Sequence, residues 1–411
     1  MDSPGRLKPL WALCIVVVID VLGFGVLIPL IPYMAIRYGA PPDLNTPILG
    51  IYSLCQLLAA PLWGRLSDRF GRRPILLSSM LGACGSYVIL AFAHSLAALF
   101  LSRGLAGFMA GNLAAAMAYA SDISTPSDRA KTMGMVGASI GIGFMLGPGV
   151  GGLLAGEHLE SANFLRPALL SVSLSVVAML LVLFLLPESH ARDRASGLSV
   201  PASRPARVPA WRLLRELPGL RLLALATLLV TFSQSTLESI FAIWAAARFH
   251  FGPLAVGMTL FVLAIVAVAT QGGLVRKLAP RFGEHRLAIA GIVAVVLGLA
   301  TVALANRLGL VVTGFVLCGL GVGLFNPSGA ALASHQAQAN NRGAIMGVYQ
   351  SGTSTARVIA PFVSGPVYER FGASAPYLIA CLVTLQAVWC VLAAGRRPAA
   401  ESISRGASSG Q

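Results

Sequence analysis

Four ionisable residues stand in the middle of apolar stretches of this 411-residue sequence: Asp20, Arg103, Glu238 and Arg357. A charge at the centre of a helix in hydrocarbon costs about 2.5 to 3.5 kcal/mol on insertion scales, so each needs a partner, a wet cavity or neutralisation. A carboxyl group in low-dielectric surroundings holds its proton more readily, and can load it on one side of a membrane and release it on the other. The expected chemistry is proton exchange, with Asp20 and Glu238 as carriers competing between proton and substrate, and with Arg103 and Arg357 balancing their resting charge. The alternative is a pair of buried ion pairs that fix helix packing. The histidines are not candidates, because His94, His158, His190, His250, His285 and His335 map to loops or helix ends.

Such charges need elements that hold them in lipid. Hydrophobic residues make up 56% of the chain and charged residues 11%, with a mean hydropathy of +0.78, far beyond what the core of a soluble domain requires. Apolar stretches of roughly 20 residues, the length of one bilayer crossing, recur along the chain. They predict twelve transmembrane helices. The first six lie near residues 11–33, 46–63, 75–93, 96–120, 132–155 and 164–186; the second six lie near 221–246, 254–275, 287–305, 308–333, 344–367 and 376–394. The expected fold class is all-α integral membrane, built as two pseudo-symmetric six-helix bundles.

The formal charge of +15 follows topology rather than a nucleic-acid surface. With both termini cytoplasmic, the inner segments collect 23 of the 30 Lys and Arg, and the outer loops hold Arg37, Arg166, Arg248, Arg307 and Arg370. That asymmetry is the positive-inside rule, and it predicts a multi-pass protein of the inner cell membrane. Cys14, Cys55, Cys84, Cys318, Cys381 and Cys390 fall within spans without metal-ligand or CxxC spacing, so they read as apolar filler. The first apolar run is longer than a signal-peptide core and contains Asp20, Gly25, Pro29 and Pro32, and is expected to be a retained helix.

An Arg-, Pro- and Ser-rich interval divides six helices from six, and reads as a flexible linker. It sets the expected domains: a bundle at 1–186, a basic cytoplasmic linker at 187–219, a second bundle at 220–395 and a tail at 396–411. The halves also repeat. Asp128-Arg129-Ala130-Lys131-Thr132-Met133-Gly134 recurs as Asn341-Arg342-Gly343-Ala344-Ile345-Met346-Gly347, and Arg69-Phe70-Gly71 as Arg281-Phe282-Gly283. A parallel duplication points to a substrate site near the membrane midplane, exposed to each side in turn.

Two motifs carry this further. Gly64-Arg65-Leu66-Ser67-Asp68-Arg69-Phe70-Gly71-Arg72-Arg73 sets one acid among four arginines between the second and third helices, a pattern suited to a charge latch. Helix 5 carries Gly134, Gly143, Gly147, Pro148, Gly151 and Gly152, small residues that let helices approach closely and a proline that bends the span. The first motif resembles the signature loop of the major facilitator superfamily, in which the equivalent of Asp68 meets the partner half near helix 11, here around Gly343. The second resembles the motif characteristic of the antiporters of that superfamily. Asp20-Val21-Leu22-Gly23-Phe24-Gly25 and Arg103-Gly104-Leu105-Ala106-Gly107 are similar to the helix-1 and helix-4 motifs of its twelve-helix drug:proton antiporters. Ser121-Asp122-Ile123 followed by Arg129 looks most like the tetracycline-efflux branch. That branch has an acid before a tyrosine in helix 3 where this chain has Ser86-Tyr87, an acid in helix 9 and a histidine in helix 8, both lacking here.

The resemblance implies export of small amphipathic molecules or drugs by proton antiport, with antibiotic resistance as its outcome. Phe24, Gln56, Asn112, Gln234, Phe241, Asn326 and Gln350 are the expected substrate-cavity groups, since aromatic faces with a few amides suit amphipathic or cationic ligands. The open alternatives are an uptake symporter for a sugar or other metabolite and a non-transporting membrane receptor. No Walker loop, metal cluster or nucleophile elbow speaks for an enzyme. The expected partners are the substrate, protons and the lipid bilayer, with no cofactor, no metal, no nucleic acid and a functional monomer.

Overall fold

The computed structural model describes residues 4–125, 128–188, 210–336 and 342–395, and among them every regular element is a helix. Most of the expected linker and the whole tail lie outside the described residues. The first half supplies α1 (Pro4–Leu27), α2 (Ile31–Arg37), α3 (Pro42–Phe70), α4 (Arg72–Ala91), α5 (Leu96–Phe108), α6 (Asn112–Ile123), α7 (Arg129–Ala155) and α8 (Leu165–Leu185). The second supplies α9 (Ala210–Glu216), α10 (Pro218–Phe249), α11 (Pro253–Ala269), a π-helical turn (Thr270–Leu274), α12 (Val275–Ala303), α13 (Leu308–His335), α14 (Arg342–Phe371) and α15 (Ala375–Gly395).

Among the described residues, ten helical stretches are long and apolar enough to cross a membrane. One of them, Pro253–Ala303, runs for 51 residues and takes in the expected eighth and ninth spans; its backbone leaves the helix at Gly283 (φ 76°, ψ 154°). The expected eleventh span is α14, which lies outside the ten because Gln350, Arg357 and the Ser, Thr and Gly residues around them lower its hydropathy. Two expected spans are interrupted. The first breaks between Leu27 and Ile31, where Pro29 and Pro32 remove helical N–H donors. The fourth breaks at Met109–Gly111, for a reason taken up below.

The chain divides into two compact units, residues 1–202 with 241–261 and residues 203–240 with 262–411. In the first, Leu13, Val16, Trp63, Met80, Tyr119 and Val182 join α1, α3, α4, α6 and α8 in one apolar core. In the second, Leu223, Val230, Ile292, Phe325, Val348 and Val391 do the same for α10, α12, α13, α14 and α15. Leu81, Leu153, Phe184, Leu297, Leu382 and Trp389 point outward and are more than half exposed. Water would penalise these side chains and lipid accepts them.

Backbone geometry carries the repeat. The described residues with positive φ are Gly39, Gly71, Gly156, His250, Gly283 and Gly372. They pair across the halves at helix ends: Gly39 with His250, Gly71 with Gly283, and Gly156 with Gly372. A side-chain contact repeats as well. The Arg73 guanidinium donates to the Leu183 carbonyl, and His285 packs over Gly395, both partners displaced by 212 residues.

Candidate functional site

Asp20 is half-buried on α1, and the side-chain amide of Asn112 donates a hydrogen bond to its Oδ2. Asn112 reaches it because the fourth span is broken. No proline interrupts Phe108-Met109-Ala110-Gly111; the break is tertiary. The Trp63 indole of α3 lies against Gly111, where a Cβ would come within 2.5 Å of its Cγ. Its Nε1–H donates to the Phe108 carbonyl, the last of α5, at 2.5 Å. Helix α6 therefore restarts at Asn112 with its N-terminal turn beside Asp20, where the partial positive charge of a helix start favours a carboxylate. A small cavity of about 10 Å³, close to the space of one water, is lined by Asp20, Asn112 and apolar side chains of α1, α4 and α6.

Arg103 on α5 is 1% exposed, and its Nε and Nη2 have no hydrogen-bond partner. Tyr52 and Tyr87 are within electrostatic reach of it, and Tyr87 is also within reach of Asp20. Phe24 stacks on Tyr52 (4.7 Å between centroids) and meets Phe144 edge-on (6.0 Å), so aromatic rings from α1, α3 and α7 gather near these charges. In the second unit Gln234 Nε2 donates to Glu238 Oε1 at 2.9 Å, one turn along the same helix.

Within each unit the acids meet amides rather than arginines at hydrogen-bond distance. Among the described residues no ion pair joins Asp20 to Arg103 in the first unit or Glu238 to Arg357 in the second. The Asn112 and Gln234 side-chain N–H groups donate to these carboxylates. Arg357 is exposed on α14, as are Gln350 on the same helix and Asn326 on α13. Gln56 is half-buried. Phe241 is fully buried and packs against Trp244 (6.2 Å between centroids).

The Gly64–Arg73 segment forms a compact ionic turn. Arg72 Nη1 donates to Asp68 Oδ1 at 2.9 Å and to Ser67 Oγ at 3.0 Å, while Arg72 Nε donates to Asp122 Oδ2 at 3.0 Å. Gly71 turns with φ 101°, and Glu188 accepts from the Arg72 and Arg73 backbone N–H groups at 3.0 and 3.2 Å, capping α4. Gly64 and Arg69 are exposed, and Arg69 stacks over the Phe70 ring at 5.4 Å. Sequence reading passed over Trp63 and Glu188. Trp63 directly precedes the Gly64 motif, which is the signal that could have marked it; nothing local marks Glu188.

On α7, Gly143 packs on Val21 and Leu22, Gly147 on Gly25 and Gly151 on Val26, so three motif glycines seat α1. Gly152 faces Pro253 and Leu254 of α11, and Pro148 lies between these contacts. Gly134 meets nothing within 4 Å and takes no part in this packing.

A family model described as Major Facilitator Superfamily matches residues 13–306 and 223–409. The chain is 31% identical over 362 residues to the class C tetracycline resistance protein of Escherichia coli, spanning 86% of this chain and 87% of that one. It is 28% identical over 369 residues to multidrug resistance protein 2 of Bacillus subtilis (strain 168), spanning 89% of each. Among solved structures, the human organic anion transporter MFSD10 superposes with a TM-score of 0.69 at 24% identity, over 95% of this chain and 100% of that one, a likeness of fold.

Proposed function

The chain belongs to the major facilitator superfamily, and from that premise we propose that this multi-pass membrane transporter exports small amphipathic molecules in exchange for protons. Asp20 and Glu238 are the proton carriers of the scheme. The observation that carries it is Asp20, an acid on a membrane helix, hydrogen-bonded by Asn112 beside a cavity the size of one water. Carboxylates in spans are costly and have a functional default. An amide partner tolerates both forms of the acid, since its N–H donates to the carboxylate and its carbonyl accepts from the carboxyl.

Arg103, a buried cation with two unsatisfied nitrogens, draws negative charge toward the same bundle. Arg357, Gln350 and Asn326 present polar groups on exposed faces of α13 and α14, which suits a water-lined path better than lipid. The Asp68–Arg72–Asp122 group serves as the cytoplasmic latch of alternating access. The relatives named for tetracycline and multidrug resistance support drugs as cargo and export as direction. Twelve crossings follow when the 51-residue stretch is divided at Gly283 and α14 is counted. Both termini then lie on one side of the inner membrane, the cytoplasmic side by the excess of Lys and Arg in the inner segments, and one chain suffices for the cycle.

The test is proton-driven efflux from inside-out vesicles carrying Asp20→Asn or Glu238→Gln. Loss of coupling in either variant, with substrate exchange retained, is the expected result. Full coupling in both would sink the scheme.

A further inference from the structure

We propose that α6 is a strut coupling the charge on Asp20 to the Asp68–Arg72–Asp122 group at its far end; the idea deepens the exchange scheme and rests on it only for its purpose in transport. Both ends of this short helix are tied. At the first residue, Asn112 holds Asp20. At the last turn, Asp122 holds Arg72 at 3.0 Å, and the Tyr119 hydroxyl donates to the Pro187 carbonyl at 2.9 Å, next to the Glu188 that caps α4. The two anchors are about 15 Å apart at 1.5 Å rise per residue.

The helix is built to transmit rather than to bend. Ala114, Ala115, Ala116, Ala118 and Ala120 lie between the anchors, and alanine has the strongest helix preference. At Met109–Gly111 the regular helical bonding gives way to turns, so α6 can tilt against α5. Trp63 is the fulcrum, holding both the Phe108 carbonyl and the Gly111 backbone. The same α3 that carries Trp63 continues through Gly64 to Asp68, so the fulcrum and the ionic turn share one helix.

The driving difference is local. A charged Asp20 makes a charge-assisted bond with Asn112 and is favoured by the start of α6; a neutral Asp20 loses both advantages. The α6 N-terminus then has less to hold it, and the pull it exerts on Arg72 through Asp122 relaxes. Tyr87 on α4 feels Asp20, and it also feels Arg103 on α5 and Tyr52 on α3. The basic groups of the neighbouring α7 and α8, Arg129, Lys131 and Arg166, sit in those helices' first turns.

The test is amide hydrogen exchange of the full chain in detergent, read on peptides covering residues 64–73. Asp20→Asn, which fixes the neutral form, is expected to speed exchange there about fivefold or more, the lower end of ordinary coupling between sites. Gly134→Ala, on α7 with nothing within 4 Å of it, is expected to leave that segment unchanged. Softening the strut with Ala114→Gly and Ala118→Gly together is expected to abolish the effect of Asp20→Asn, while peptides from α15 report that the fold is intact. Unchanged exchange in Asp20→Asn overturns the strut, as does an equal response in the softened background. No substrate is involved. A chain that keeps this response yet does not exchange protons for cargo would lose the transport scheme and keep the strut.

Discussion

His250 occupies in the second half the place that Gly39 occupies in the first, and both have positive φ, 55° and 74°. Glycine adopts this conformation without penalty, whereas a residue with a Cβ is strained by about 1 to 2 kcal/mol. His250 is exposed, so its side chain contributes little to packing. His250→Gly is expected to stabilise the protein by about 0.5 to 1 kcal/mol, and His250→Ile to destabilise it by about as much. Thermal unfolding in detergent reads both. A destabilised glycine variant would show that the imidazole makes a contact of its own.

The α7 glycines divide into those that seat α1 and one that does not. Gly151→Ala places a methyl group against the Val26 backbone and is expected to cost about 1 to 3 kcal/mol, the range for overpacking. Gly134→Ala has open space, and its stability and efflux are expected to match the parent. Equal losses in the two would mean that the motif acts through backbone flexibility rather than close approach.

Gly71 and Glu188 are expected to couple. Glu188→Ala removes the cap of α4, worth about 1 kcal/mol. Gly71→Ala strains a φ of 101° and drives a Cβ to within 2.8 Å of the Glu188 carboxylate. With Glu188 already gone, the clash disappears and only the backbone strain remains. A double-mutant cycle by thermal unfolding is therefore expected to be non-additive by about 0.5 to 1 kcal/mol. Strict additivity would place the Glu188 carboxylate elsewhere.

Cargo charge is readable from the two parts of the proton gradient. One proton moving down about 100 mV and one pH unit releases roughly 2.3 and 1.4 kcal/mol. With one-for-one exchange, a neutral cargo uses both parts and a monovalent cation only the second. Abolishing the pH difference while keeping the potential is expected to stop uphill efflux of the cation and to leave that of the neutral molecule. Vesicles clamped with potassium and valinomycin provide the measurement.

Most of the architecture is legible in hydropathy, because lipid allows few ways to satisfy a backbone. The repeat was legible too, in Arg69-Phe70-Gly71 and its echo at Arg281, where Gly71 and Gly283 both turn with positive φ. The break in the fourth span was not. Its cause is the Trp63 indole resting on Gly111, a contact between residues 48 apart that no local pattern announces. The partner of Asp20 was hidden for the same reason: Asn112 gains its position only once the helix has parted. Arg103 and Arg357 looked alike in sequence, each a lone cation in an apolar run, yet one is buried and the other exposed. Hydropathy averages over a turn and does not resolve which side of the helix a residue occupies.

The polarity of α14 bears on how the protein is made. A segment carrying Gln350 and Arg357 in its middle partitions poorly from the insertion channel into lipid on its own. It needs company: α13 waiting beside the channel, α15 arriving after it, or both. A nascent chain released at Phe371 would leave α14 at the channel mouth, exposed to quality control, until synthesis of α15 (Ala375–Gly395) draws it in. Insertion of α14 is thus a cooperative step shared with its neighbours in the chain.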